Sequence, residues 1–281
     1  MLTLLQQQEY MNNGYLVLPG FFSNDEMSSI KNAANKIVDD FDPSSTSSIF
    51  STKDHDKTRN DYFLSSSDKI RCFYEEDAFS VNGELVQEKS LSINKIGHAL
   101  HTLDPAFSAF SHSPKIAEVA KSVGLQTPRI RQSMYIFKQP KIGGIIRWHQ
   151  DATYFYTDPI SVVTFWVAVE DATIENGCLR VQTPDKSRAS TNTPLREQFL
   201  RYPDDTTELK VLDETPWPED ESATVLDVKK GTLVVFNGLL PHFSAPNLSS
   251  KSRHAFTLHI TCDSSKYSEF NWIQNEGSPL N

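Results

Sequence analysis

The feature that most constrains this chain is a series of short β-branched and aromatic runs in its C-terminal half. They span Arg129 to Phe137, Ser161 to Val169, Thr232 to Phe236 and Ala255 to Thr261, with turn residues between them. Runs of this length are too short for the helices of a bundle. Val, Ile, Phe and Trp pack well on a pleated surface, so the spacing predicts a β-sandwich or barrel. Asn176-Gly177 adds a hairpin signal.

The N-terminal part reads differently. Gly14 to Gly20 predicts a short strand, and Ser23-Asn-Asp-Glu26 is a capping-box pattern. Met27, Ile30, Ala34, Ile37 and Val38 follow it at helical spacing. Further helices are predicted over Ser92–Leu103 and over Pro114–Val123, the latter stopped by Gly124. The expected organisation is one domain over 1–281. A helical N-terminal buttress covers about 1–125 and a β-core about 126–265. A polar, proline-rich insertion over about 192–222 reads as a lid.

Several function classes are disfavoured. A formal net charge of -9 repels phosphate backbones, so no nucleic-acid partner is expected. No apolar run is long enough to span a membrane, so no membrane partner is expected either. The start Met1-Leu-Thr-Leu-Leu has no basic n-region, and the end Ser278-Pro-Leu-Asn is not a peroxisomal address. Cys72, Cys178 and Cys262 are far apart and odd in number, which argues for reduced thiols rather than a disulfide framework or zinc knuckle. The expectation is a cytoplasmic monomer or weak homo-oligomer.

The chemistry centres on Trp148-His149-Gln150-Asp151. In an extended segment His149 and Asp151 point to the same side, because side chains alternate with period two. The triplet alone is more often an ordinary hydrogen-bonded pair. His242, following the strand Thr232 to Phe236, is the best second histidine. Two histidines and one carboxylate form the facial triad of non-haem Fe(II) oxygenases. Arg253 stands at the head of an apolar strand, where a guanidinium needs an anion. Ser244 faces the same way as His242. His98 and His101 are read as helix-surface or packing residues, and His254 and His259 as structural.

The order His149-Gln-Asp151, His242-x-Ser244, Arg253 resembles the phytanoyl-CoA dioxygenase family. The runs Asp61-Tyr-Phe-Leu, Ser92-Ile-Asn-Lys-Ile-Gly-His, Gln132-Ser-Met-Tyr-Ile-Phe-Lys-Gln-Pro and Val169-Glu-Asp-Ala are similar to members of it as well. The resemblance implies a mainly β fold with flanking helices, a double-stranded β-helix of jelly-roll, cupin-like form. It implies iron ligands at His149, Asp151 and His242. It implies contacts to the co-substrate 2-oxoglutarate at Lys95, Met134, Trp166, Ser244 and Arg253, with Gln150 lining the pocket. The activity implied is an O2-dependent oxidation releasing succinate and CO2. Retention of Asp151 favours a halide-free oxidation, since related halogenases lack that carboxylate. Thr183-Pro-Asp-Lys186 departs from the family's loop and bears on substrate choice. Two other readings are a non-catalytic sensor of the same fold and a cupin-like hydrolase or isomerase. Ser244 and Arg253 speak against the latter, which needs no 2-oxo-acid clamp.

Overall fold

The computed structural model describes residues 1–46, 48–49, 61–185 and 193–281. Helix α1 (Leu4–Asn13), strand β1 (Tyr15–Leu18) and the long helix α2 (Asn24–Asp40) come first. Helix α3 (Asp61–Leu64) leads into β2 (Ile70–Tyr74) and β3 (Ile93–His98). Helices α4 (Leu100–Leu103), α5 (Pro105–Ser111) and α6 (Pro114–Ser122) precede β4 (Pro128–Ile136). Strands β5 (Ile146–His149), β6 (Thr157–Asp158), β7 (Val163–Ala168) and β8 (Leu179–Val181) follow. A hairpin of β9 (Glu197–Arg201) and β10 (Thr207–Val211) precedes β11 (Thr224–Leu226) and β12 (Leu233–Asn237). The chain ends through β13 (His242–Ser244), β14 (Ala255–Cys262), β15 (Lys266–Tyr267) and β16 (Ser278–Pro279).

The strands make two facing sheets. The larger has the order β1-β12-β7-β14-β4-β3-β2, with β16 beside β4, and the smaller has the order β11-β8-β13-β5. Neighbours in both are antiparallel, and apart from β2–β3 and β3–β4 they come from distant parts of the chain, as a double-stranded β-helix requires. Period-two alternation sorts the large sheet. Phe165 and Val167, Leu233 and Val235, and Phe256, Leu258 and Ile260 face a core shared with Met27, Ile30, Ala34, Phe107 and Ile116 of the helices. Full burial of such a side chain contributes roughly 1.5–3 kcal/mol each. The intervening residues, Trp166, Val234 and Phe236, face the small sheet together with Leu179 and Val181. One face is thus mostly apolar, and the other is left free to carry chemistry.

The capping box at α2 forms as read. The Glu26 backbone N–H donates to Ser23 Oγ at 3.2 Å, and Ser23 N–H donates to the Glu26 carboxylate at 2.8 Å. Three expectations need correction. The segment predicted as a helix over Ser92–Leu103 is the strand β3 followed by one turn of helix. Its apolar residues also fit a strand buried on both faces, and all six residues of β3 are buried. The region 1–125 is accordingly less helical than expected, since besides the expected strand β1 it gives β2 and β3 to the large sheet. Asn176-Gly177 closes a turn before β8 rather than a two-residue hairpin, with the Asn176 side chain accepting from Thr173 N–H at 2.7 Å.

The polar insertion is ordered by a hairpin. Asn192 lies outside the described residues, as does Lys186 of the departing loop. From 193 on, β9 and β10 pair in register, and Phe199 and Leu200 are buried by them.

His101 and His254 are buried packing residues, and His98 is buried but lines the cavity between the sheets. His98 and His101 hydrogen-bond through Nδ1 to Ser66 and Ser133 at 2.8 Å each, so neither is a helix-surface residue. Burial pushes His101 and His254 down to about 4 and His98 well below the ordinary imidazole value of 6.5. Between about 4 and 6.5 the unfolded chain therefore binds more protons than the folded one, and stability falls as pH falls through that window. Thermal unfolding at pH 5 is expected at a clearly lower temperature than at pH 7. An unchanged or higher midpoint at pH 5 would mean that these imidazoles carry charge in the folded state.

Candidate metal and co-substrate site

The cavity between the sheets has a volume of about 160 Å³. His149 ends β5 and His242 begins β13, and the two are direct cross-strand partners. Their rings stand 4.1 Å apart, centroid to centroid. Asp151 follows two residues after His149, where the chain leaves the strand for a single 3-10 turn over Asp151–Thr153. Gly238 lets this turn press against the end of β12, and its carbonyl accepts from Ala152 N–H at 2.9 Å. A Cβ at Gly238 would lie 2.0 Å from Val162 Cγ1 and 3.2 Å from Ala152 N.

The donor atoms are already in place. His149 Nε2 lies 3.6 Å and His242 Nε2 3.8 Å from Asp151 Oδ1. The three possible ligand atoms all lie within 4.8 Å of one another. Each histidine has its other ring nitrogen on a carbonyl, His149 Nδ1 on Arg147 O at 2.8 Å and His242 Nδ1 on Leu240 O at 3.0 Å. A carbonyl can only accept, so Nδ1 carries the proton and both Nε2 lone pairs point inward. Burial and the neighbouring His242 push His149 down to about 4, which keeps it neutral at physiological pH. Burial alone would raise Asp151. The imidazoles of His242, His259 and His149 outweigh it and hold the carboxyl well below its ordinary value. Two imidazoles and one carboxylate are a donor set suited to Fe(II).

Sequence reasoning missed two residues that hold this group. His259 and Thr164 are cross-strand partners on β14 and β7, on the cavity face. Thr164 Oγ1 donates to Asp151 Oδ2, and His259 Nε2 lies 3.6 Å from the same oxygen. The His259 ring stacks on Phe155 at 4.7 Å. Asp151 thus divides its oxygens, Oδ1 toward the histidines and Oδ2 toward its supports. Period two on the β14 strand was the available signal, since His259 has the same parity as Thr257 and Arg253. Losing such a support typically costs about 10–100-fold in metal affinity. Thr164→Val and His259→Gln are each expected to weaken Fe(II) binding by about that factor, measured by anaerobic titration. Wild-type affinity in both would remove them from the site.

The same cavity holds other residues singled out from the sequence. Lys95, Met134, Trp166, Ser244 and Arg253 all line it. Lys95 Nζ sits 3.7 Å from Met134 Sδ and above the rings of Phe63 and Phe73, at 5.5 and 5.7 Å. The Arg253 guanidinium lies 5.4 Å from the Trp166 ring centroid. Arg253 is only 2% exposed, and its buried Nε has no hydrogen-bond partner. Burial brings it down to about 10, so it is still a cation at neutral pH. Asp151 is the one carboxylate lining the cavity among the described residues, against the cations Lys95, Arg147 and Arg253. The cavity lining therefore carries an excess of positive charge, which suits an anion.

Gln150 is a correction. Lying between two residues that point into the cavity, it points out of it. Its amide donates to Pro194 O at 2.8 Å and Leu239 O at 2.7 Å, and its oxygen accepts from Arg196 N–H at 2.9 Å. Alternation along the strand is the reason: if 149 and 151 face inward, 150 cannot.

Comparison with known proteins agrees with this geometry. The phytanoyl-CoA dioxygenase (PhyH) family profile matches residues 10–255. "Phytanoyl-CoA dioxygenase" of Arabidopsis thaliana is 42% identical over 280 residues, covering 99% of this chain and 95% of its own. "Phytanoyl-CoA dioxygenase domain-containing protein 1" of Rattus norvegicus is 39% identical over 277 residues, covering 96% of this chain and 94% of its own. Among solved structures, EctD from S. alaskensis with 2-oxoglutarate and 5-hydroxyectoine superposes with a TM-score of 0.65 at 18% identity, covering 99% of this chain and 85% of its own. The 2-oxoglutarate-dependent carbocyclase SnoK superposes with a TM-score of 0.65 at 17% identity, covering 100% of this chain and 94% of its own. At these identities the two structures speak for the shared fold.

Proposed function

The chain belongs to the phytanoyl-CoA dioxygenase family, and from that premise we propose that it hydroxylates, or otherwise oxidises, a small-molecule substrate. As a member of that family it is a 2-oxoglutarate-dependent non-haem iron dioxygenase, working with Fe(II), 2-oxoglutarate and O2. The balance for hydroxylation is R–H + O2 + 2-oxoglutarate giving R–OH + succinate + CO2. The observation that carries the reading is that Arg253, buried with an unpartnered Nε, opens on the same cavity as the His149–Asp151–His242 group.

In this reading His149, Asp151 and His242 hold Fe(II), which when bound supplies the site for O2 activation. Arg253 and Ser244 grip the distal carboxylate of 2-oxoglutarate, and Lys95, Met134 and Trp166 shape its berth. The aromatic wall of Tyr154, Phe155, Phe243 and Trp272 keeps bulk water from the reacting end. The insertion covers the metal end. Its support is that both neighbours of His149 on β5 and its turn are tied to it, Gln150 to Pro194 and Arg196, and Trp148 Nε1 to Asp220 at 2.7 Å. We also read the protein as cytoplasmic and as a monomer or weak homo-oligomer without a nucleic-acid partner. Three buried unpaired thiols and a net charge of -9 support this. No helix among the described residues is long and apolar enough to cross a membrane.

The test is spectroscopic and then chemical. Fe(II) and 2-oxoglutarate added together without oxygen should give a weak visible charge-transfer band that neither gives alone. Admission of O2 should then yield succinate. A band without succinate, even with candidate substrates, would favour the sensor reading. Bound iron with no band would remove 2-oxoglutarate from the site.

A further inference from the structure

Behind Ser244 lies a buried charged group that the proposed chemistry does not use. Lys138 is 1% exposed and does not line the cavity. Its Nζ donates to Ser244 Oγ at 3.0 Å and to Gly144 O at 2.5 Å. Gly144 N–H in turn donates to Glu75 at 3.2 Å, and Glu75, fully buried, also accepts from Asn94 Nδ2 at 2.7 Å. The backbone of one glycine, Gly144, therefore links a buried lysine to a buried carboxylate through its N–H and its C=O.

The backbone is arranged to keep Lys138 there. It has φ 44, a left-handed conformation that costs a non-glycine residue energy and persists only when its surroundings enforce it. Its carbonyl accepts from Asn247 Nδ2 at 2.9 Å and from the Arg253 N–H at 3.3 Å. Gly177 makes room for the side chain, since a Cβ there would lie 2.8 Å from Lys138 Cε.

Resting on the 2-oxoglutarate reading above, we propose that Lys138 is a positioning residue that orients the Ser244 hydroxyl toward the distal carboxylate held by Arg253. The reason is directional. An ammonium can only donate, so a serine oxygen facing it must accept. The Ser244 O–H is then turned away from Lys138 and free to donate to an anion in the cavity. Charge balance points the same way. With all three ionised, Glu75, Lys138 and Arg253 leave one net positive charge in a buried region, and a carboxylate in the cavity neutralises it. Burial and Arg253 push the Lys138 amine well below its ordinary value while Glu75 opposes them, and a carboxylate bound in the cavity would favour the charged form of the lysine on which this geometry depends.

The experiment is anaerobic calorimetry on the Fe(II)-loaded protein with two ligands. 2-Oxoglutarate carries the distal carboxylate, and 2-oxovalerate has the same 2-oxo-acid head without it. Lys138→Met is expected to raise the Kd for 2-oxoglutarate about 10–100-fold, the range of a lost hydrogen bond to a charged group, and to leave 2-oxovalerate within about twofold. In a Ser244→Ala background, Lys138→Met should add less than about twofold, because the two act through one hydroxyl. Glu75→Gln/Lys138→Met, which removes both buried charges, should show the same selective loss and covers poor folding of the single variant. Wild-type affinity in the variants, equal weakening of both ligands, or losses that multiply in the double variant would each overturn the proposal. A wild-type protein that does not prefer 2-oxoglutarate to 2-oxovalerate would instead remove the Arg253 clamp itself, and Lys138's role with it.

Discussion

Replacing Asp151 with alanine is expected to abolish turnover and to weaken Fe(II) binding by more than about 100-fold while the β-core stays folded. The floor comes from comparison: losing an outer support costs about 10–100-fold, and Asp151 is the only anionic donor in the set. Its removal leaves only the two imidazoles, His149 and His242, to hold a divalent cation. The fold should survive because the large sheet is organised by its opposite, apolar face, where Phe165, Phe256 and Leu258 pack on the helices. Asp151 sits in a turn at the edge of the small sheet, outside that core. Near-UV circular dichroism and an Fe(II) titration separate the two effects. A folded Asp151→Ala variant with wild-type iron affinity would falsify the assignment.

Arg253→Met is expected to raise the Kd for 2-oxoglutarate by about 100-fold and to leave Fe(II) binding almost unchanged. A charge-assisted, two-pronged contact contributes roughly 3 kcal/mol, and each 1.4 kcal/mol is a factor of about ten. The thermal behaviour gives a second, opposite-signed reading. Without co-substrate, wild type buries a cation whose Nε lacks a partner, which costs stability, so the apolar substitute should melt no lower. With saturating 2-oxoglutarate the wild-type midpoint should rise by linkage, and that of the variant should not. If Arg253→Met loses stability in the free protein and keeps its 2-oxoglutarate affinity, the guanidinium is a structural element.

Much of this site was legible before any coordinate. The His149-x-Asp151 pair follows from period two, and the same rule, applied strictly, would have turned Gln150 outward. The strands β4, β7, β12 and β14 fall within a few residues of the runs read as β, because each is bounded by turn residues. Lys95 illustrates the opposite case. The segment Ile93–His98 has apolar residues at positions compatible with a helix face, and nothing local forbids a helix. Only the place between β2 and β4 in the sheet makes it extended, where Phe73 pairs with Lys95 and Met134 with Gly97. Tertiary pairing overrode local periodicity there.

What the sequence determined by itself is the set of chemically capable residues on one parity of each strand, together with the fold class that alternating apolar runs require. It did so because alternation is a local property of an extended backbone, readable over a few residues. What only the tertiary structure decided is which of those residues meet. His149 opposite His242, Thr164 opposite His259, and Lys138 behind Ser244 are separated by tens of residues or more along the chain. Their meeting is fixed by strand register within each sheet and by how the two sheets face each other across the cavity. A slip of one residue would turn every site residue of a strand away from the cavity.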